Sequence, residues 1–162
     1  MKPVATQLEN YLIENQARFY RLAYSYLPNR EEALDAVQTA ICRALEKRGS
    51  LRNAAMLRSW FTRILINTCL DMLRQKKRVT PTAPAELNPG SYEDPLPADE
   101  LLLGQLNALP PEEQTVVKLR FFEDLSLKEI AEITEANLNT VKTRLYNALK
   151  KLRISLEEAA SE

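Results

Sequence analysis

Apolar residues recur at helical intervals along most of the chain, and no segment alternates as a half-buried strand would. Leu8, Tyr11, Leu12, Phe19, Leu22, Ala23 and Tyr26 lie on one stripe of about 3.6-residue period, which predicts a helix that Pro28 ends. Asn29 can cap the next helix, with Glu32 completing a capping box. Its apolar face runs through Ala33, Leu34, Val37, Ile41 and Leu45, and Gly49 stops it. A long helix from about Leu57 to Lys77 buries Trp60, Phe61, Ile64, Leu65, Thr68 and Met72. The pattern then lapses and resumes. Asp99–Leu109 reads as a short helix, and Pro110 and Pro111 suit the first turn of another that ends near Phe122. Ser126 with Glu129 makes a second capping box ahead of Ile130, Ala131 and Ile133. After a break around Thr134–Leu138, Asn139 can cap a last helix carrying Val141, Leu145, Ala148, Leu149 and Leu152. The fold class expected is all-α.

The lapse is a matter of proline. Pro81, Pro84, Pro89, Pro95 and Pro97 are five of the nine prolines in the chain, and each removes a donor and disfavours helix in the residue before it. The stretch therefore reads as a flexible, acidic linker over 79–98, between helical domains at 1–78 and 99–162. It is either a plain spacer or a segment that runs through a basic channel on a partner. Charge follows the same division. Lys+Arg and Asp+Glu number 22 each, so the sum is zero, but residues 1–78 carry +7, 79–107 carry −5 and 108–162 carry −2. From Ala136 to Leu156 the basic residues Lys142, Arg144, Lys150, Lys151 and Arg153 occur with no acid.

Composition then removes several function classes. With no histidine there is no Ser-His-Asp or Cys-His catalytic system and no imidazole metal site. Cys42 and Cys69 are too few and too far apart for a zinc or CxxC pattern, and read as small core hydrophobes or, less simply, as a redox switch at one of them. No acid/base or phosphate-loop constellation is found, so no enzyme, cofactor or metal is expected. The 162 residues hold no apolar run near the ~20 needed to span a bilayer, and Met1–Asn10 lacks the order of a signal peptide. A soluble, cytoplasmic protein is expected.

Two segments carry candidate chemistry. Ser126–Leu152 has the spacing of a helix-turn-helix, whose second helix enters the major groove. That helix opens Asn139-Thr140-Val141-Lys142-Thr143-Arg144, with Val141 facing the core and Lys142, Thr143 and Arg144 facing out. The plainer account is a helical hairpin with a solvated basic face. In the first domain, Arg63, Asn67, Asp71, Arg74 and Arg78 are spaced 4, 4, 3 and 4 along one helix face, beginning beside Trp60 and Phe61. This is a solvated face with cations at a helix C-terminus, or a surface that tracks a nucleic-acid backbone. Two basic modules on one tether favour the latter, since each raises the effective concentration of the other.

At these residues the chain resembles a family. Leu109-Pro110, Leu119-Arg120-Phe121-Phe122, Leu125-Ser126, Glu129-Ile130-Ala131-Glu132-Ile133 and Thr140 to Ala148 resemble region 4 of bacterial sigma-70-type initiation factors, especially the small extracytoplasmic-function class. Leu22-Ala23, Glu32-Ala33, Asp35, Val37-Gln38, Trp60-Phe61, Arg63-Ile64, Asn67, Asp71 and Leu73-Arg74 resemble region 2. The resemblance implies a region 2 helical bundle and a region 4 helix-turn-helix. It implies a monomer that directs core RNA polymerase to −35 and −10 promoter elements and assists opening, in an envelope or extracytoplasmic stress response. Partners implied are the polymerase clamp coiled coil and flap, promoter DNA, and an anti-sigma factor, often membrane-anchored, without membrane insertion of this chain.

Roles carry over only onto matching positions. Asp35, Gln38 and Arg43 would dock the clamp. Leu51, Arg52, Asn53, Met56 and Arg58 would form the loop at the −10 element, where a base is flipped out, with Arg63, Asn67 and Arg74 on bases and phosphates. Asn139, Thr140, Lys142, Thr143 and Arg144 would meet the −35 element, with Arg120 on phosphate. The chain departs from the family pattern at several places. Glu135 stands where Gly is frequent, and a positive φ there would cost about 1 kcal/mol, favouring a turn built differently. Asn139 replaces another Gly, Asn147 a basic residue, Thr39 and Ile41 the usual Glu and Phe, and the −10 loop has no aromatic. Two rival readings need no polymerase: a dimeric helix-turn-helix regulator on an inverted repeat, and a helical adapter without DNA.

Overall fold

The computed structural model describes residues 4–79 and 100–160, with the side chains of Ala5 and of 77–79, 100–102 and 155–160 outside that description. The expected linker, 79–98, therefore lies almost wholly outside the described residues, and so does the side chain of Arg78. The chain divides into two compact units, Met1–Pro95 and Leu96–Glu162. Every described element is helical: α1 (Val4–Glu14), α2 (Gln16–Tyr26), α3 (Arg30–Glu46), 3-10 turns at Arg48–Ser50 and Ala54–Met56, α4 (Leu57–Val79), α5 (Glu100–Asn107), α6 (Pro111–Phe121), α7 (Leu127–Thr134) and α8 (Leu138–Ala160).

In the first unit α2, α3 and α4 pack against one another. The single helix expected from Leu8 to Tyr26 is two. Asn15 breaks it at φ −115°, ψ 20°, and its side-chain amide donates to Tyr11 O at 2.9 Å. A short polar side chain that bonds nearby backbone offers the chain an alternative to helix. The apolar stripe survives the break, with Leu8, Leu12, Phe19, Leu22, Ala23 and Tyr26 all buried. Phe19 and Phe61 stack with centroids 4.5 Å apart, and Tyr11 meets Phe61 edge-on at 6.3 Å. Such tilted and edge contacts add to the gain from burial.

Helix α3 corrects a second expectation. Its buried row is Ala33, Ala36, Ala40 and Ala44, each 0% exposed, with Val37 beside it. Leu34 is 40% exposed, and Ile41 and Leu45 are half-buried. A helix flanked by two others has room for methyl groups on its inner face, and its larger apolar side chains stand on the flank. Asn29 does cap α3, accepting from Glu32 N–H at 3.0 Å. The Glu32 carboxylate, however, takes Lys76 of α4 at 2.9 Å. The helix ends at Glu46 rather than at Gly49, which lies in the following 3-10 turn without a positive φ. Trp60, Ile64 and Met72 are half-buried, whereas Phe61, Leu65 and Thr68 are fully inside. Cys69 is in the core as expected; Cys42 is exposed on α3.

The second unit closes around Leu106, Leu109, Val117, Ala148 and Leu152, with Leu145 packed against them. Pro111 starts α6 as its fixed φ allows. A polar knot holds the preceding turn. Gln114 donates to Leu109 O at 3.1 Å, and Lys118, fully buried, donates to Gln114 Oε1 at 2.8 Å and Asn107 Oδ1 at 3.0 Å. Ser126 and Glu129 form the full capping box of α7. Glu135 then adopts the left-handed conformation, φ 58°, ψ 39°. Its N–H reaches Glu132 O at 3.3 Å and Ala136 N–H reaches Ala131 O at 3.0 Å, the paired bonds of a Schellman turn. The turn is thus built with the positive φ after all, and its bonds offset the strain of a non-glycine residue. Asn137, not Asn139, caps α8, accepting from Thr140 N–H at 2.8 Å.

Candidate nucleic-acid interface

The turn between α7 and α8 sets what α8 can present. Val141 is fully buried and Leu145 half-buried against the core, so the intervening Lys142 and Thr143 stand exposed and Arg144 stands at the edge. Asn139 is exposed, and Thr140 is half-buried with its N–H spent on the cap. Tyr146, one turn beyond Lys142, is 67% exposed and was not singled out from the sequence. Arg120 is tied down: its Nη1 donates to Leu125 O at 3.2 Å and its guanidinium lies 5.9 Å from the Phe121 ring centroid. It braces the entry to α7.

The first unit offers two cavities on opposite sides of α3. One, of about 400 Å³, lies between α2 and α3 and includes Tyr20, Arg30, Leu34, Val37, Gln38 and Ile41 in its lining. The other, of about 210 Å³, lies between α3 and α4 and is lined by Arg43, Lys47, Trp60, Arg63, Ile64 and Asn67. Of the three residues expected to share a clamp-docking role, Gln38 lines the first cavity and Asp35 is exposed on the same helix. Arg43 lines the second. It lies five positions beyond Gln38, roughly 140° around a helix of 3.6 residues per turn.

The 51–58 loop is less uniform than expected. Leu51 is buried, 6% exposed, and its side chain fills the interior. Arg52 and Asn53 are exposed, and the Asn53 side chain is engaged in accepting from Ala55 N–H at 2.9 Å. Met56 is 48% exposed and Arg58 half-buried. Arg63 and Asn67 are exposed and meet at the second cavity, while Arg74 lies further along α4, bonded to Asp71. Lys47, Trp60 and Ile64 complete the cavity, and Lys47 and Ile64 were not among the expected site residues. Trp60 Nε1 donates to Ser50 Oγ at 3.2 Å, which fixes the ring between loop and cavity wall. The signal was present as two i,i+4 pairs, Arg43/Lys47 across the end of α3 and Arg63/Asn67 within α4. Pairing them needed the packing of α3 on α4. Among the described residues no group of His, Cys, Asp and Glu is placed to hold a metal ion, and no helix is long and apolar enough to cross a membrane.

The sigma-70 region 2 model matches residues 12–79, and the sigma-70 region 4 model matches residues 99–152. RNA polymerase sigma factor SigV of Bacillus subtilis is 46% identical over 147 residues, covering 90% of this chain and 88% of that protein. The chain belongs to the extracytoplasmic-function group of the sigma-70 family. A second relative, the ECF RNA polymerase sigma factor SigW of Bacillus subtilis, is 31% identical and covers 87% of this sigma factor and 84% of its own length. In fold the sigma factor resembles RpoE of Bartonella quintana, solved in complex with the anti-sigma factor NepR, at TM-score 0.74 and 21% identity, covering 92% of this chain and 96% of that one. It also resembles CnrH, solved with the cytosolic domain of CnrY, at TM-score 0.68 and 18% identity, covering 93% and 88%. As an RNA polymerase sigma factor it acts in transcription initiation, where catalysis belongs to the polymerase.

Proposed function

We propose that this sigma factor divides promoter recognition between its units as follows. Residues 1–78 dock core polymerase and engage the −10 element, 79–98 act as a tether, and 99–162 read the −35 element. The exposed Lys142 and Thr143 beside the fully buried Val141 carry the second part. With the core side of α8 fixed by Val141 and Ala148, the opposite side is free to enter a major groove. Lys142, Thr143 and Arg144 supply the donors for base edges, and Asn139 and Thr140 lie near the backbone.

In the first unit the α2/α3 cavity, with Gln38 in its wall and Asp35 nearby, suits a helical partner, and core polymerase clamp helices are that partner. The α3/α4 cavity suits an unstacked base. Trp60 offers a ring to stack on, worth about 1–3 kcal/mol per base. Asn67 can bond a base edge, and Arg63 a flanking phosphate. These gains offset the few kcal/mol that flipping costs. Of the loop, Arg52, Met56 and Arg58 remain available, and Arg74 meets phosphate. An anti-sigma factor that covered either cavity would block polymerase or DNA, and a membrane-anchored one would couple release to an envelope stress signal. The working compartment is the cytoplasm.

In-vitro transcription with core polymerase over a promoter library, with start sites mapped, tests this reading. Specific initiation at sites sharing −35 and −10 sequences is expected. No initiation above core polymerase alone would overturn it.

A further inference from the structure

Asp71 holds two arginines at once. Arg43 Nη1 of α3 donates to its Oδ2 at 3.2 Å, and Arg74 donates to its Oδ1. Arg43 Nη1 also donates at 3.0 Å to the hydroxyl of Thr68, which is fully buried and itself donates to Ile64 O at 2.8 Å. One guanidinium nitrogen is thus fixed by two acceptors on α4, one of them rigid. The same arginine lines the α3/α4 cavity with Lys47 and Arg63, and no carboxylate lines it. A guanidinium has five N–H donors, so the remaining ones are left for an occupant of the cavity.

From this arrangement we infer that Asp71 is a positioning residue for the DNA-reading cavity, and that Arg43 belongs to that cavity and not to the polymerase-docking surface. The inference rests on the proposed role of the first unit at the −10 element. Asp71 fixes the direction of the Arg43 donors, so the cavity discriminates a particular base and phosphate geometry. Without the carboxylate, Arg43 keeps its charge but swings, and attraction to any DNA rises while selectivity falls. A merely structural salt bridge would not show this split, since half-exposed ion pairs of this kind add little stability.

The test uses the full chain assembled with core polymerase. It compares binding of a non-template-strand oligonucleotide carrying the −10 sequence mapped upstream of its own start sites with binding of a scrambled oligonucleotide. Asp71→Ala is expected to lower the ratio about tenfold, the scale of one well-placed base contact. Binding of the scrambled strand should hold or tighten, since one negative charge is removed near phosphate. Arg43→Lys, which keeps charge and stem, should lower the ratio similarly, and Asp71→Glu should restore part of it. Affinity for core polymerase should not change in any of them. A wild-type ratio in Asp71→Ala overturns the inference, as does an Arg43→Lys variant that loses core polymerase and keeps its ratio. Should Asp71→Ala fail to fold, Arg43→Lys carries the same decision. If the wild-type holoenzyme itself does not tell the two strands apart, the −10 role of the first unit falls, and this inference with it.

Discussion

The two units deploy positive charge in opposite ways. In the first, three basic residues around α4 are tied to carboxylates of the same unit: Arg43 and Arg74 to Asp71, Lys76 to Glu32. In the second, Lys142 and Arg144 on the reading side of α8 take no intramolecular ion pair among the described residues, and Lys151 on another side of the helix takes Glu113 at 3.0 Å. A tethered cation is slow to reorient and suits a cavity that accepts one shape. A solvated lysine adapts to a groove, and its counterions are released when it meets phosphate. The first arrangement favours selection of an unstacked base; the second favours capture of duplex DNA.

The strongest way to break this contrast is to remove the solvated cations. Lys142→Ala with Arg144→Ala should lower −35-dependent transcription by roughly a hundredfold, if each contact is worth about 1–3 kcal/mol. Transcription from promoters with intact and scrambled −35 elements measures it, and equal loss on both would show phosphate contact without reading. Lys118→Ala probes a cation placed inside. It removes a buried stem and leaves Gln114 Oε1 and Asn107 Oδ1 short of a donor, so a loss of about 2–4 kcal/mol is expected in denaturant unfolding of the second unit's signal. Ala40→Leu in the first unit should cost about 1–3 kcal/mol by overpacking α3, with the melting transition falling accordingly. Glu135→Gly should stabilise the second unit by about 1 kcal/mol, seen as a rise in Tm with −35 selectivity kept. Lys151→Ala should change stability by about 0.5 kcal/mol or less, which double-mutant analysis with Glu113→Ala would resolve.

Much of the helical outline was legible because it is written in local chemistry. Pro28, Pro111 and the Ser126–Glu129 box act within a turn or two, and each boundary they suggested lies within a few residues of the observed one. What failed depended on neighbours distant in sequence. The alanine row of α3 is invisible to a search for large apolar residues, because the space it fills is defined by α2 and α4. Asn15 and Asn137 were overlooked for another reason: asparagine serves equally in loops, caps and faces, and backbone conformation decides which. For the candidate site, α8 could be read off directly, since one helix carries its face. The α3/α4 cavity could not, since Lys47 and Trp60 meet only after the helices pack. Arg43 was grouped by its helix, whereas its angle around that helix places it elsewhere.

The alanine row has a further consequence. By letting methyl groups do the packing, α3 keeps the side chains that make the fold separate from those that face outward. Leu34, Gln38 and Ile41 can change without disturbing Ala36, Ala40 or Ala44. A lineage can therefore retune what grips this helix, one outer residue at a time, while its scaffold stays untouched.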